Sequence, residues 1–423
     1  MLKRILMMVL CISSAIIVSG SICASFAEDP VKIGYIGALS TVYGESNLAS
    51  LEISIDELNK EGGILGRPVE LITEDWKREI PLAVAAYKKL VMKDRCLLVF
   101  AEGTEGSMAC AQTASRLYPS YPHVLFSIWS SGLNMDIVAD EYEKYKFLFL
   151  VYPGVSDTYN PALEVLDFFR QTIGTRKLAL LIEDIGWTET YRKGKPGSFP
   201  PVKEFAEKGG IEVVYQTTTD IKEKMFLPIL EKVAASGADT IWFFSAYTDT
   251  VTFVKQWAQS PAKNLDVVMQ SGACSYASFW KMTGGQALGI ASMMPEIEIP
   301  FTKRTKPFLK KLREKGAGLM ASTFSAYDGP WILKGAVEKT GSADDVEAII
   351  KAVETGEFQR GSWIWSFNRR HEPKKGSVYQ PYPIGQFQED GKYVVVHSKN
   401  LLEITNPNDS YLRVRDLRKR VEQ

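Results

Sequence analysis

The chain has 423 residues, of which 45% are hydrophobic, 11% aromatic and 24% charged. This is an ordinary globular composition, and the length allows two domains. The 50 basic and 50 acidic residues give no net charge, so no long-range field would attract nucleic acid or an anionic membrane surface. Composition therefore argues against a disordered chain, a disulfide-rich miniprotein and a nucleic-acid coat protein.

The first 27 residues have the pattern of a secretory signal peptide. Lys3 and Arg4 form a basic start, an apolar run covers residues 5–18, and small residues lead up to Ala27. The apolar run is shorter than the roughly 20 residues that a membrane-spanning helix needs. We expect cleavage after Ala27 and a soluble protein exported to the periplasm, with an uncleaved anchor as the less favoured alternative. Cleavage would leave 48 basic and 50 acidic residues, a net charge of −2.

Three cysteines remain after that cleavage: Cys96, Cys110 and Cys274. An odd number cannot pair completely within one chain, so one disulfide with a buried thiol and three buried thiols are both possible. Their spacing matches no metal site, and the sequence predicts no metal or cofactor.

Strand and helix patterns alternate through the first third of the chain. Apolar strand runs are predicted at 31–39, 69–74, 96–100 and 124–128, and helical spacing at 44–60, 82–92 and 107–117. Four strands separated by helices predict a parallel sheet that is covered on both faces. The right-handed crossover rule makes this a doubly wound lobe.

The pattern restarts after Tyr145 and predicts a second lobe of the same kind. Strands are predicted at 147–152, 178–182, 211–215, 240–244 and 267–269, helices at 162–169, 202–208, 229–235, 251–258, 327–339 and 346–353, and strand-like pieces at 363–367 and 393–396. Open α/β sheets bind ligands beyond the carboxyl ends of their strands. Two such lobes therefore predict a cleft that is lined by the loops following each strand.

The sequence contains none of the common catalytic motifs that we considered. There is no His-Glu-x-x-His, no Cys-x-x-Cys and no Gly-x-Ser-x-Gly. The glycine-containing segment 103–107 lacks the Gly-Lys end of a phosphate-binding loop. Glu183 and Asp184 could act as an acid and a base, but adjacent acids at a strand end are more often a solvated turn or a cap. The sequence favours a protein that is not an enzyme.

Polar residues follow two of the predicted strands in the first lobe. Thr104 and Glu105 open a helix, where free backbone N–H groups bind carboxylates well, although an ordinary N-cap is the alternative. Trp129 and Ser131 follow the fourth strand. The Ser131 hydroxyl could bind a ligand carboxylate, and a plain turn with an exposed tryptophan is the alternative.

Aromatic residues follow three further strands, namely Tyr43, Trp187 and Tyr247. Tyrosine and tryptophan offer a large apolar area with a polar tip, which suits a cleft wall. Packing at the edge of the hydrophobic core is the alternative for each of them.

Two stretches carry a family likeness: VKIGYIGALS at 31–40 and DELNKEGGILGRPVEL at 56–71. A weaker likeness runs from Ala326-Tyr327-Asp328 to about Phe367. Through these residues the chain resembles the periplasmic solute-binding proteins of branched-chain amino acid type, the Leu/Ile/Val-binding class of type I binding proteins. The likeness covers most of the mature chain.

The resemblance implies two doubly wound parallel-sheet α/β lobes joined by three hinge crossings. It implies a monomer that closes on a small solute and delivers it to the permease of an ABC transporter; a sensing receptor of the same fold is the alternative, and a secreted enzyme is the least favoured. We expect lobe 1 at 31–149, completed by 296–363, and lobe 2 at 150–295, completed by 364–405. The charged tail at 406–423 is expected to form a surface helix or a frayed end.

The resemblance also implies ligand contacts at particular positions of this sequence. Thr104 or Glu105, together with Ser131, would meet a ligand carboxylate, and Trp129 would offer a backbone contact. Tyr43, Trp187 and Tyr247 stand at positions of aromatic residues in the family.

One departure from the family pattern concerns the ligand's charge. Where amino-acid binders carry an acidic residue after the last strand of the second lobe, this chain has Ser271. A buried ammonium without a carboxylate partner is costly. Either Glu105 supplies the negative charge from another wall, or the ligand has no α-ammonium. Amino acids, amides, and aromatic or aliphatic carboxylates are therefore all open as ligands.

Overall fold

The structure is a computed structural model that describes residues 29–130, 132, 135–152, 161–195, 199–271, 274, 278–293, 298–320, 322–375, 379, 382–397 and 410–421. The expected signal peptide, the predicted site residue Ser131 and the first part of the charged tail lie outside the described residues. None of the described helices has the length and apolar character that a membrane crossing requires.

A parallel sheet of five strands forms the centre of the first lobe within the described residues. Its strands are β1 (Val31–Gly37), β2 (Val69–Asp75), β3 (Leu98–Glu102), β4 (Val124–Ile128) and β5 (Leu148–Leu150), in the order β2-β1-β3-β4-β5. The helices between them are α1 (Val42–Lys60), α2 (Ile80–Lys88, continued by a π-helical turn over Lys89–Lys93), α3 (Thr104–Leu117), α4 (Asp136–Asp140) and α5 (Tyr142–Tyr145). Every residue of β3 and β4 is buried, as expected for strands that helices cover on both faces.

The first sheet contains one strand more than the sequence predicted for it. The strand at 147–152 was expected to begin the second lobe, but β5 pairs in parallel with β4, with Leu148 opposite Leu125. Two short helices, α4 and α5, lie between these strands in the described part of the chain, and consecutive strands with a short connection usually lie side by side. The second lobe therefore begins after β5.

The second lobe is built on a sheet of seven strands among the described residues. They are β6 (Lys177–Glu183), β7 (Glu212–Thr219), β8 (Thr240–Phe244), β9 (Asp266–Gln270), β10 (Ala291–Met293), β11 (Ile384–Phe387) and β12 (Tyr393–His397), in the order β12-β11-β10-β9-β8-β6-β7. Its helices are α6 (Pro161–Phe168, continued by a π-helical turn over Phe169–Ile173), α7 (Glu189–Lys193), α8 (Val202–Lys208), α9 (Leu227–Ala235), α10 (Thr250–Gln259) and α11 (Phe279–Met282). Pairing of β11 with β10 and β12 is antiparallel, so the sheet is mixed.

Three later helices return to the first lobe: α12 (Thr305–Glu314), α13 (Thr323–Thr340) and α14 (Val346–Thr355). Their apolar residues belong to the same buried cluster as β1, β3 and β4. The rings of Phe308 and Tyr327 stack with centroids 3.9 Å apart. A Cβ at Gly329 would come within 2.5 Å of the Phe100 ring, so glycine allows α13 to lie directly against β3.

The strand-like piece predicted at 363–367 is not a strand. The segment makes isolated bridges, Phe358 with Trp365 and Phe367 with Pro373. Trp363, Trp365 and Phe367 are all buried in the core of the first lobe. Their spacing of two residues produced the strand pattern, but it reflects core packing without a hydrogen-bonded ladder.

The described end of the charged tail is a helix that packs on the second lobe. In α15 (Val414–Val421), Val414 and Leu417 are fully buried. Tyr411 donates a hydrogen bond of 2.8 Å to the buried carboxylate of Asp266, which also pairs with Arg413. The expectation of a surface helix is confirmed, and contacts on its inner face hold it in place.

All three remaining cysteines, Cys96, Cys110 and Cys274, are free and buried. Of the two alternatives left open by their odd number, the structure has three buried thiols. Burial raises the pKa of Cys96 and of Cys274 to about 12, so the reactive thiolate form is disfavoured at neutral pH.

Candidate functional site

The carboxyl ends of strands in the two sheets meet across a cleft between the lobes. Tyr43, on α1 of the first lobe, donates a hydrogen bond of 3.3 Å to the carbonyl oxygen of Ala246, which follows β8 of the second lobe. This is the position at which open α/β sheets bind ligands.

Three of the predicted aromatic residues form a single cluster in this cleft. The rings of Tyr43 and Trp129 are stacked with centroids 4.1 Å apart and planes 17° apart. The ring of Tyr247 lies 5.4 Å from that of Trp129 at an angle of 53°. We call Tyr43, Trp129 and Tyr247 the aromatic cluster. It joins both lobes, because Tyr247 follows β8 and the other two residues belong to the first lobe.

Trp129 has a left-handed backbone conformation, with φ of +49°. Non-glycine residues adopt this region rarely and at a cost of about 1 kcal/mol or more. The residue comes directly after β4, whose five residues are all buried. The strained turn therefore marks the point where the chain leaves the sheet for the cleft, and it places the Trp129 ring against Tyr43.

A cation that the sequence analysis passed over completes this group. The guanidinium of Arg78 lies 3.9 Å above the centre of the Tyr247 ring, in the geometry of a cation–π contact. Arg78 follows β2 and is exposed. The available signal was its place in a loop after a strand, two residues beyond Trp76.

The loop that carries Arg78 is fixed from two sides. The carboxylate of Asp75 accepts hydrogen bonds from the backbone N–H groups of Lys77 at 2.9 Å and Leu39 at 3.3 Å. The buried Trp76 ring packs against the start of α3, where a Cβ at Gly106 would lie 3.1 Å from it. Asp75 and Trp76 thus anchor the loop that carries Arg78, and Trp76 joins that loop to the first turn of α3.

Thr104 and Glu105 lie at the start of α3, as the sequence predicted. Gly103 is the N-cap residue, with φ of +83°, a conformation that glycine adopts without strain. Thr104 is half-buried and Glu105 is exposed. The Glu105 carboxylate reaches the second lobe, because a Cβ at Gly186 would lie only 2.7 Å from its Oε1.

A buried carboxylate organises the facing loop of the second lobe. Glu183, at the end of β6, accepts hydrogen bonds from the backbone N–H groups of Ala246 at 2.7 Å, Tyr247 at 3.0 Å and Thr248 at 3.0 Å. It also accepts from the Thr248 hydroxyl at 2.8 Å and from the indole N–H of Trp187 at 2.5 Å. Charge-assisted bonds of this kind are the strong ones. Glu183 therefore positions both Trp187 and Tyr247.

This geometry decides between the alternatives for the pair Glu183 and Asp184. Glu183 is fully buried and caps a loop, whereas Asp184 pairs with Arg192 at 2.5 Å on the surface. The expectation of a cap is confirmed for Glu183. The alternative of a solvated turn applies to Asp184, because consecutive side chains at the end of a strand point in opposite directions.

A second buried carboxylate supports the first-lobe wall. Glu102, at the end of β3, accepts hydrogen bonds from the Tyr35 hydroxyl and, at 3.2 Å, from the side-chain amide of Asn47. Asn47 also accepts from Ser322 at 2.8 Å, which ties α1 to the start of α13. Burial raises the pKa of Glu102. This network fixes the helix that carries Tyr43.

Ser271, at the position of the family departure, is buried directly after β9, and its carbonyl oxygen accepts from the Ser292 hydroxyl at 3.3 Å. The preceding Gln270 donates to the Tyr191 hydroxyl at 3.0 Å. The Tyr191 ring in turn meets the Trp187 ring edge-on, with centroids 5.8 Å apart. The end of β9 is therefore connected to the Trp187 wall of the cleft.

An ionic contact also joins the lobes. Asp136, at the start of α4, pairs with Lys195, which follows α7 in the second lobe. The same carboxylate pairs with the buried Arg370, in the segment between α14 and β11. Both lobes and one connecting segment thus meet at a single carboxylate.

The chain is similar to known proteins over most of its length. The family model described as periplasmic binding protein matches residues 30–392. "Leu/Ile/Val-binding protein homolog 3" of Brucella melitensis is 23% identical over 336 residues, which cover 79% of this chain and 85% of that protein. The "leucine-, isoleucine-, valine-, threonine-, and alanine-binding protein" of Pseudomonas aeruginosa is 21% identical over 367 residues, covering 85% and 92% respectively.

Solved structures share the fold. A putative branched-chain amino acid ABC transporter protein from Silicibacter pomeroyi superposes with a TM-score of 0.74 at 18% identity, covering 91% of this chain and 99% of that one. An isoleucine-bound substrate binding protein from Streptococcus pneumoniae gives 0.69 at 18% identity, covering 87% and 99%. A solute binding protein from R. palustris in complex with 4-hydroxybenzoate gives 0.70 at 20% identity, covering 88% and 96%. The predicted type I fold with two α/β lobes is confirmed.

Proposed function

Because the chain belongs to the periplasmic binding protein family, which its match over residues 30–392 establishes, we propose that it is the solute-capturing component of an ABC transporter. The two lobes close on one small amino acid-like or carboxylate solute, and the closed protein delivers that solute to a membrane permease. We further propose that residues 1–27 are removed on export. The protein acts without chemical conversion of its ligand.

The observation that carries this proposal is the set of contacts between the lobes at the strand ends. Tyr43 reaches Ala246, Arg78 covers Tyr247, and the Glu105 carboxylate lies against Gly186. Each contact joins the first lobe to the second. A protein that captures a solute by hinge closure needs such groups at the rim and floor of its cleft.

The residues proposed to contact the solute line this cleft or follow its strands. They are Tyr43, Thr104, Glu105, Trp129, Ser131, Trp187, Tyr247 and Ser271. The aromatic cluster would cover the apolar body of the solute. The first turn of α3 would bind its carboxylate, because free backbone N–H groups and the helix dipole favour an anion there.

Two of the expected ligand classes, amino acids and carboxylates without an ammonium group, have counterparts among proteins of this fold. Solved structures with the same fold are complexes with isoleucine, with benzoate and with 4-hydroxybenzoate. These compounds share a carboxylate beside an apolar body, and they differ in the α-ammonium. The proposed function covers both classes.

A thermal-unfolding screen of the protein from Glu28 onward tests the proposal. The compounds are L-amino acids, amides, and aromatic and aliphatic carboxylates. We expect at least one compound to raise the unfolding temperature by several degrees, because a ligand at 100 times its Kd stabilises the folded state by about 2.7 kcal/mol.

Tyr247→Leu should reduce that shift, and Tyr121→Leu provides the matched control. Tyr121 also lies beneath an arginine, with the Arg95 guanidinium 4.3 Å from its ring centre, but it precedes β4 at the opposite end of the first sheet. Equal loss of the shift in both variants, or no shift with any compound, contradicts a ligand site in this cleft. Turnover of a bound compound would establish an enzyme instead.

A further inference from the structure

We propose that Arg78 pairs with the carboxylate of the ligand, and that the physiological ligand is an organic anion without an α-ammonium group. This inference rests on the proposed function and narrows it to one of the two ligand classes. It assigns a specificity-determining role to a residue in the loop after β2.

Arg78 is held where a ligand in the cleft would meet it. Its guanidinium is 3.9 Å from the centre of the Tyr247 ring, and Tyr247 belongs to the aromatic cluster. The loop is fixed below by Asp75 and by the Trp76 ring against Gly106. The cation therefore lies against the aromatic cluster, on a loop that packs against the first turn of α3 through Trp76.

The guanidinium has no carboxylate partner within the part of the chain that the structure describes. It is held by the face of an aromatic ring, and Arg78 is exposed. A guanidinium that stacks on a ring keeps its N–H edge available, and that edge matches a carboxylate with two parallel hydrogen bonds. The ring contact thus orients the group without using its donors.

The buried carboxylates at the strand ends are already engaged. Glu183 accepts five hydrogen bonds from its own lobe. Glu102 accepts from Tyr35 and Asn47, and burial raises its pKa, which favours the uncharged form. Neither carboxylate is placed to receive a ligand ammonium.

The remaining acid, Glu105, lies against Gly186 and is exposed to solvent. The residue directly after β9 is the buried and uncharged Ser271. A cation therefore lies against the aromatic cluster, whereas the carboxylates of Glu102 and Glu183 are engaged within their own lobes and that of Glu105 is exposed. This charge arrangement fits an aromatic or aliphatic carboxylate better than a zwitterion.

The test compares matched compounds on matched variants by isothermal titration calorimetry. The compound pairs are L-leucine with 4-methyl-2-oxopentanoate, L-phenylalanine with 3-phenylpropanoate, and benzamide with benzoate. The variants are Arg78→Gln and Arg78→Lys, with Lys77→Gln as the control. Lys77 is exposed, lies in the same loop and also has a left-handed backbone, with φ of +48°.

We expect the ammonium-free carboxylates to bind more tightly than their amino acid partners, and benzoate more tightly than benzamide. Arg78→Gln should weaken carboxylate binding by about 30-fold, because it removes the charge and the two-point hydrogen bonding that the guanidinium offers the carboxylate. Lys77→Gln should change it by less than about 3-fold. Arg78→Lys should bind with intermediate affinity, since it keeps the charge and loses the two-point geometry.

Other outcomes separate this inference from the proposed function. Tighter binding of the amino acids, or equal carboxylate affinity in Arg78→Gln and Lys77→Gln, overturns the inference and leaves a solute-binding protein. No binding by any compound contradicts both. If Arg78→Gln unfolds at a lower temperature than Lys77→Gln without ligand, Arg78→Lys replaces it in the test. The expected intermediate affinity of Arg78→Lys then supports the inference, and an affinity equal to that of Lys77→Gln overturns it.

Discussion

Glu183 and Tyr247 are joined by a hydrogen bond of 3.0 Å from the backbone N–H of Tyr247 to the buried carboxylate of Glu183. The same carboxylate accepts the indole N–H of Trp187. One residue at the end of β6 thereby orients two aromatic side chains of the cleft. The positions of Trp187 and Tyr247 in the second lobe therefore depend on Glu183, even if Glu183 itself does not contact the ligand.

Replacing Glu183 with glutamine should destabilise the protein and loosen this wall. An amide presents one oxygen and one N–H₂ group, so some of the backbone donors that now meet the carboxylate would face another donor. We expect the free energy of unfolding to fall by about 2–4 kcal/mol. Urea denaturation measures this change.

Glu189→Gln is the control for that measurement. Glu189 lies nearby on α7, but it is exposed and pairs with Lys193 across one helical turn. Its replacement should change the free energy of unfolding by less than about 0.5 kcal/mol. Equal stability of the two variants would show that Glu183 is not the organiser of the loop.

The ion pair between Asp136 and Lys195 should slow the opening of the cleft. Lys195→Gln removes the second-lobe partner, while Asp136 keeps its contact with Arg370. The pair is partly exposed, with 31% and 22% of the side chains accessible, so its contribution should be about 1 kcal/mol. We expect ligand dissociation to become about 5-fold faster, as measured by stopped-flow fluorescence of the cleft tryptophans.

Lys193→Gln serves as the comparison, because Lys193 pairs with Glu189 inside its own helix and does not cross the cleft. It should leave the dissociation rate unchanged. Identical rates for the two variants would remove Asp136 and Lys195 from the closure mechanism. A lower unfolding temperature in both variants would identify a loss of stability as the cause.

Most strands and helices could be predicted from the sequence, because the apolar periodicity that marks them is local. β4 and β8 have the predicted bounds of 124–128 and 240–244. The strand at 147–152 was placed in the wrong lobe, since periodicity does not reveal a pairing partner. β10 and β11 were missed because three or four residues give too little pattern.

The candidate site could be predicted only in part for a similar reason. Tyr43, Trp129 and Tyr247 follow strands, and that rule is local. Arg78 contacts Tyr247 because the two lobes approach each other. A contact between residues so far apart in sequence cannot be predicted from a local pattern. For Glu183 the sequence left a solvated turn and a cap as alternatives, because most of its hydrogen-bond donors lie in a loop that is distant in sequence.

The three thiols should be unreactive in the folded protein. Cys96, Cys110 and Cys274 are at most 3% exposed, and burial raises the pKa of each thiol. The protein from Glu28 onward should release no thiolate product with Ellman's reagent in native buffer. In concentrated guanidinium chloride it should titrate all three thiols. Titration of only one would indicate a disulfide.

The carboxylate of Glu354 should make the protein more stable at neutral than at acidic pH. Burial alone would raise its pKa, but hydrogen bonds from His371 at 3.0 Å, Tyr142 at 2.5 Å and the ammonium of Lys351 at 2.9 Å outweigh burial and lower the pKa to about 2. A carboxyl whose pKa is lower in the folded state contributes stability above its unfolded pKa and loses it as the pH falls.

That stabilisation should be fully present above about pH 5 and disappear between pH 4.5 and about pH 2. Glu354→Gln should therefore reduce the free energy of unfolding by about 2 kcal/mol at pH 7, and the gap to the unmodified protein should narrow on acidification. Glu314→Gln is the control, because Glu314 is exposed and pairs with Lys310 along its helix. Urea denaturation at a series of pH values measures both variants. A gap for Glu354→Gln that stays constant from pH 7 to pH 3 would mean that the side chain acts through packing, because only an ionic contribution is lost on protonation.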